Sequence, residues 1–255
     1  MKIPCKMPRI GTRKLYFLIR EELNAINIKM GRDVLFNFLR AENLLIKPKR
    51  SYVKTTNSRH WMRKYPNLIK DMELSRPEQL WVSDITYIKT ETGHEYLSLI
   101  TDAYSKKIMG YELLDNLSTA GPLRALENAL KNRKYNKELI HHSDRGLQYC
   151  SSDYIEMLHK NGIKISMTQN SDPYENAIAE RVNGILKYEF LIIDGLKDHL
   201  QAVRVIDESI GIYNENRPHL SCQMLTPNRA HLQQEIKLRK WKKKTSKVFI
   251  SEVNF

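Results

Sequence analysis

The 255 residues include 42 Lys/Arg against 29 Asp/Glu, a formal charge of +13, with 41% hydrophobic and 9% aromatic residues. That balance fits a folded protein and argues against a disordered chain. Cys5, Cys150 and Cys222 are too scattered for a disulfide framework or a Cys-rich zinc site, and no stretch approaches the ~18 consecutive apolar residues of a membrane span.

The charge is unevenly placed. Residues 1–70 hold 17 basic against 4 acidic residues, net +13; residues 71–235 hold 18 against 24, net −6; residues 236–255 hold 7 against 1, net +6. Solvated surface charge could produce such a pattern, but basic ends on this scale suit a polyanion such as nucleic acid. An acidic middle suits a catalytic core that binds cations. The N-terminal MKIPCKMPRIGTRK lacks the apolar run of a signal peptide, so the expectation is a cytoplasmic, nucleoid-associated protein with no membrane contact.

In chain order, RKLYFLIREEL repeats Leu15, Leu18, Ile19 and Leu23 at helical spacing. Gly31 breaks the pattern, and Asp33 is placed to cap a second helix in VLFNFLRAENLL. Two short helices around a turn in a basic context suit a helix-turn-helix as well as a small helical bundle. Residues 1–48 are read as a helical module for which both readings stand, and 49–78, rich in Lys and Arg without periodicity, as a basic linker. Strands are expected at 80–89, 95–102 and 107–114, then a helix at 121–134. A fourth strand in ELIHHSD ends at Asp144. A helix at 151–161, a fifth strand in IKISMT and helices at 174–190 and 197–214 complete a core over 79–235. The tail 236–255 is basic. Three strands in a meander followed by strands alternating with helices imply a mixed five-stranded α/β sheet flanked by helices.

Three carboxylates stand in unusual places. Asp84 interrupts the strand-like QLWVSDITYIKT, where an unpaired charge is costly. Asp144 closes the fourth strand, and strand ends are where α/β sheets place ligand groups. In YENAIAERVNGILKYEF, helical spacing lines up Asn176, Glu180, Asn183 and Lys187 on one stripe opposite Ile178, Val182 and Ile185. An amphipathic helix with a solvated face has the same pattern. Taken together, the three acids make a set suited to hard divalent cations, and two such ions can clamp an in-line phosphoryl displacement. Lys187 would then face a DNA phosphate.

The words RPEQLWVSDITYI, YLSLITDAYSKKIMGY, HHSDRGLQYCSSDY, ISMTQNSDPYENAIAERVNGILKYE and YNENRPHLSCQMLTP, in this order, resemble the catalytic frame of bacterial insertion-sequence transposases with a retroviral-integrase-like core. The resemblance spans roughly residues 10–230. It implies a ribonuclease H-like fold with Asp84, Asp144 and Glu180 as catalytic and metal-binding triad, and Mg²⁺ or Mn²⁺, two ions, as cofactor. It also implies that the N-terminal helices are the family's helix-turn-helix-like module, and that double-stranded DNA, at element ends and target, is the partner. DNA integration and recombination by strand cleavage and strand transfer follow, on at least a dimer and with an upstream-frame DNA-binding subunit as a further partner. Lys187, Asn183, Asn176 and Arg145 are expected as DNA contacts, and His142, Gln148 and Tyr149, which surround Asp144, as further candidates for contact with DNA. Asp102 and the pair His141–His142 are read as structural, the histidines alternatively as touching substrate, and YNENRPH as structural or DNA-contacting. Two rival readings remain: a non-catalytic DNA-binding protein derived from a transposase, and a ribonuclease H-like nuclease that only cuts.

Overall fold

A computed structural model describes residues 7–46, 61–169, 175–192 and 195–238. The expected N-terminal helices form as α1 (Thr12–Ala25) and α2 (Arg32–Ala41). Asp33 does not cap α2: Gly31 takes the cap position, and Asp33, in the first turn, pairs instead with Arg32 at 2.8 Å. An acid in the first turn still complements the helix dipole. The periodic run ends earlier than its spacing predicts, because Asn43 turns to φ 57° and closes the helix.

The core contains β1 (Leu80–Thr90), β2 (Gly93–Asp102), β3 (Ile108–Leu114), α3 (Ala120–Lys131), β4 (Ile140–Ser143), α4 (Ser152–Lys160), β5 (Lys164–Met167), α5 (Ala177–Glu189), α6 (His199–Asn216) and a short α7 (Pro227–His231). The sheet order is β3-β2-β1-β4-β5. β1–β2 and β2–β3 pair antiparallel, while β1–β4 and β4–β5 pair parallel. The mixed five-stranded sheet predicted from the meander and the βα alternation is therefore present. No helix among the described residues is long and apolar enough to cross a membrane.

Strand alternation sorts the core into two faces. Trp81 points with Ile100, Met109 and Tyr154 toward α3 and α4, whereas Leu80, Val82 and Ile88 point toward α5 and α6. On the first face α3 lies so close to β3 that a Cβ on Gly110 would run into the Ala125 carbonyl oxygen and come within 2.9 Å of Ala129 Cα. On the second face the N-terminal segment docks: Met7, Ile10, Leu15 and Leu18 pack with Ile185, Leu186 and Ile206. The Arg9 amide donates to the Glu189 carbonyl at 3.2 Å.

Residues 61–78, within the stretch expected as linker, lie on the core. The Leu68 amide donates to Ser166 Oγ at 2.9 Å, and the Met167 amide to the Pro66 carbonyl at 3.3 Å. These bonds cover β5, which would otherwise be an open sheet edge.

Candidate active site

Asp84 and Asp144 come together through strand register. β1 and β4 pair in parallel, with Val82 opposite His142. Carrying that register forward two residues sets Asp84 beside Asp144, and alternation turns both toward the α5 face. The Asp84 carboxyl is pushed up to about 7, first by burial and then by the charge of Asp144; an Asn183 hydrogen bond works the other way, and Glu180 adds a weaker push upward. An acid that feels two other acids sits at a concentration of negative charge.

Each carboxylate is held by the backbone. Asp84 Oδ1 accepts from the Ile85 amide at 2.9 Å, and Asp144 Oδ1 accepts from the Gly146 amide at 3.0 Å. A Cβ on Gly146 would come within 3.0 Å of that same oxygen, so glycine permits the tight loop after β4.

The polar stripe of α5 is turned largely inward. Asn183, 5% exposed, donates Nδ2–H to Asp84 Oδ2 at 2.8 Å, and Asn176, just before the helix, donates to the Ser83 carbonyl at 2.9 Å. Both were expected as DNA contacts, yet their amides are used inside the protein, because α5 lays this stripe along β1. Their Oδ1 atoms are buried without a hydrogen-bond partner among the described residues. Glu180 lies on the exposed side of the first turn of α5. Lys187, half-buried, has its pKa lowered by burial while Asp84 pulls it up, so its ammonium faces the same site. Arg145 is half-buried in the loop after Asp144 and, with Lys64, acts on the Cys150 thiol. Among the described residues no three His, Cys, Asp or Glu side chains are gathered tightly enough to make a finished metal cage. The structure thus brings Asp84 and Asp144 together and sets Glu180 within electrostatic reach on the facing helix.

Beneath the pair lies a buried polar layer that periodicity does not reveal. His141 Nε2 meets Ser83 Oγ at 2.7 Å and the Tyr154 hydroxyl at 2.9 Å. Burial lowers the His141 pKa to about 3, so the ring is neutral, and Nε2 shares its one lone pair or one proton between the two hydroxyls. His142 Nδ1 meets Ser166 Oγ at 2.8 Å, and burial lowers its pKa to about 4. Both histidines are buried and bonded within the protein, which is the packing role among the two expected of them; His142 and Tyr149, also considered for DNA, are buried too. So is Asp102, which accepts from the Glu78 and Ser105 amides at 2.8 Å each. The YNENRPH run resolves toward structure as well: Arg217, 1% exposed, grips Glu189 at the end of α5 with two bonds of 2.8 and 2.9 Å.

Comparison with known proteins settles the family. Residues 75–173 and 161–227 match two family descriptions, both of an integrase core domain. An insertion element IS600 protein of 31 kDa from Shigella sonnei is 36% identical over 231 residues, covering 89% of this chain and 85% of that one. The chain belongs to the bacterial insertion-sequence transposases with an integrase core. The IS629 transposase of Shigella sonnei is 30% identical, covering 81% of this chain and 68% of its own, and transposase InsF of IS3A from Escherichia coli K12 is 29% identical, covering 82% and 73%. Among solved structures, the HTLV-2 integrase catalytic core in complex with magnesium aligns at TM-score 0.50 and 20% identity over 61% of this chain and 97% of that one. A chain of the simian T-cell lymphotropic virus intasome in complex with PP2A regulatory subunit B56 gamma aligns at TM-score 0.54 and 16% identity over 92% of this chain and 80% of that one. At these identities the structural likeness establishes the ribonuclease H-like fold. The family's activity is DNA transposition, a polynucleotidyl transfer, and this transposase carries its core domain.

Proposed function

We propose that Asp84, Asp144 and Glu180 are the catalytic triad of this transposase and hold divalent cations, two Mg²⁺ or Mn²⁺ ions, during cleavage and joining of DNA strands. The observation that carries the reading is the juxtaposition of Asp84 and Asp144, with the Asp84 carboxyl pushed to about 7. A half-buried pair of like charges suits a cation between them, and oxygen ligands suit Mg²⁺ and Mn²⁺. The buried, unpartnered Oδ1 atoms of Asn176 and Asn183 add oxygen acceptors to the same wall. When bound, such ions supply charge neutralisation at a phosphodiester and acidity at the attacking oxygen.

The chain's own residues do the positioning. Asn183 and the Ile85 amide fix Asp84, and the Gly146 amide fixes Asp144. Lys187 and Arg145 are assigned to DNA phosphates, while Asn176 and Asn183 are reassigned to holding β1 against α5. In the first reaction water attacks the phosphorus at the element end: a P–O bond forms, and the 3′-oxygen leaves as a hydroxyl. In the second, that hydroxyl attacks another phosphodiester and its 3′-oxygen leaves in turn, so no covalent enzyme–DNA bond is needed. The division into a DNA-binding module (1–48), linker (49–78), catalytic core (79–235) and basic tail (236–255) belongs to this reading. So do assembly of at least two copies on DNA and cooperation with an upstream-frame subunit.

Paired assays for strand cleavage and strand transfer on an element end test it. Asp84→Asn, Asp144→Asn and Glu180→Gln are each expected to abolish both reactions while DNA binding survives. Full activity in any one of them would remove that residue from the triad. Cleavage without joining in the wild type would favour a nuclease that only cuts.

A further inference from the structure

The strap that covers β5 holds its side chains in two directions. Met62 and Tyr65 turn inward and pack on the α4 side of the core, and Tyr65 also meets the His159 ring at 6.3 Å. Trp61, Arg63 and Lys64 turn outward. Trp61 is 92% exposed, the most exposed large hydrophobic side chain described, although the strap is anchored by backbone bonds a few residues away. Arg63 lies over the Tyr65 ring at 5.1 Å, which leaves its guanidinium edge to solvent. The strap runs beside the loop that carries Asp144: the Met167 amide donates to the Pro66 carbonyl at 3.3 Å, Met167 Sδ lies 3.8 Å from Cys150 Sγ, and the Thr168 amide donates to the carbonyl of Ser143, the residue before Asp144, at 3.0 Å.

We propose that Trp61, Arg63 and Lys64 form a landing for unpaired nucleotides of a DNA end beside Asp144; this rests on the DNA-strand-transfer reading above. An indole can stack only on a base that is not already stacked in a duplex, while Arg and Lys hold the flanking phosphates in any sequence. Duplex phosphates alone would call for the cations and leave the indole without a role. The charge of the neighbouring chain selects this occupant over the protein's own linker: residues 47–70 contain eight Lys/Arg and no Asp/Glu, so the segment repels itself and attracts a polyanion.

The test uses the full chain in EDTA, so that binding is read without chemistry. Anisotropy compares a blunt duplex with the same duplex carrying a few unpaired nucleotides at one end. The wild type is expected to prefer the unpaired end by roughly five- to a hundredfold, the range of one stacked base. Trp61→Ala should lose that preference with an unchanged melting temperature, and Trp61→Phe should keep most of it. The double variant Arg63→Gln, Lys64→Gln should weaken both DNAs and flatten the salt dependence. An unchanged preference in Trp61→Ala would overturn the inference, as would a wild type that binds both DNAs equally. A Trp61→Ala variant whose sedimentation changes while its DNA preference does not would mark a contact between copies, and also overturn it. A wild type that binds neither DNA would instead overturn the strand-transfer reading on which the inference rests.

Discussion

The helix that carries Glu180 is pinned at its far end by one carboxylate. Glu189 receives both the Nε–H and an Nη–H of Arg217, and has Lys14 at 3.5 Å and Arg181 at 3.8 Å. Burial alone would raise the Glu189 pKa, but the hydrogen bonds and charge of Arg217 outweigh it and hold the carboxyl below its usual range. Replacing Glu189 by Gln keeps one acceptor oxygen but leaves a fully buried guanidinium with His219, at 2.9 Å, as its only other side-chain bond among the described residues. Breaking a buried ion pair costs ~3–5 kcal/mol. The retained carbonyl and the partial exposure of Glu189 put this case at the lower end, about 3 kcal/mol. For a chain of this size that is a fall in Tm of roughly 6–12 °C. Urea unfolding followed by circular dichroism at pH 7 measures it, and Arg217→Met in the Glu189→Gln background should then cost far less than it does alone. The pH dependence has a defined sign. A depressed carboxylate stabilises above its unfolded pKa of about 4.3, and that stability disappears as pH falls through the lower folded value. The gap between wild type and Glu189→Gln should therefore be constant above about pH 5 and narrow below it. A loss under ~0.5 kcal/mol at pH 7 would refute the idea that Arg217 and Glu189 pin α5.

Other expectations follow from single contacts. Gly110→Ala must push α3 off β3 and should cost at least the ~1–3 kcal/mol of an overpacked core, read by urea unfolding. His231 is opposed by burial, but its bonds to Asp102 and Glu78 raise its pKa. That stability is complete below the ordinary histidine pKa and is lost as pH rises through the folded value, so Tm scans at rising pH should show a loss that His231→Gln lacks. His141 and His142 are depressed to about 3 and 4 by burial, so the unfolded chain binds protons that the folded chain refuses below about pH 6.5. Stability should fall as pH drops through that range, by up to ~2.7 kcal/mol per pH unit for two protons, and His142→Asn should reduce the slope.

Local rules reach far into this fold. Strand alternation around Asp84, the βα alternation after Leu114 and the stripe of α5 were all legible, because each depends on residues close in sequence. The failures have separate physical causes. Asp33 fits a cap position by type, but Gly31 supplies the extended backbone that the cap needs. The partners of Asn183 and Asn176, Asp84 and the Ser83 carbonyl, lie 99 and 93 residues away, so a stripe that reads as solvent-facing or DNA-facing is in fact turned inward. Likewise, Glu78 meets His231 across 153 residues, and no periodicity announces a pair at that distance. The strap over β5 was hidden for another reason: edge protection by irregular backbone leaves no repeating pattern. Gly146 did carry a signal, since a glycine two residues after a strand-end acid marks a backbone amide turned back to it.

The central claim is that Asp84, Asp144 and Glu180 act on the same cations. Calorimetric titration of Mn²⁺ into the wild type and the three single variants, on DNA ends blocked against reaction, tests it most directly. The account predicts that Asp84→Asn, Asp144→Asn and Glu180→Gln each weaken Mn²⁺ binding by more than the roughly 10–100-fold loss that removal of an outer hydrogen-bond partner causes. Unchanged Mn²⁺ affinity in Glu180→Gln, with losses in the two aspartate variants, would contradict it and leave a two-carboxylate site.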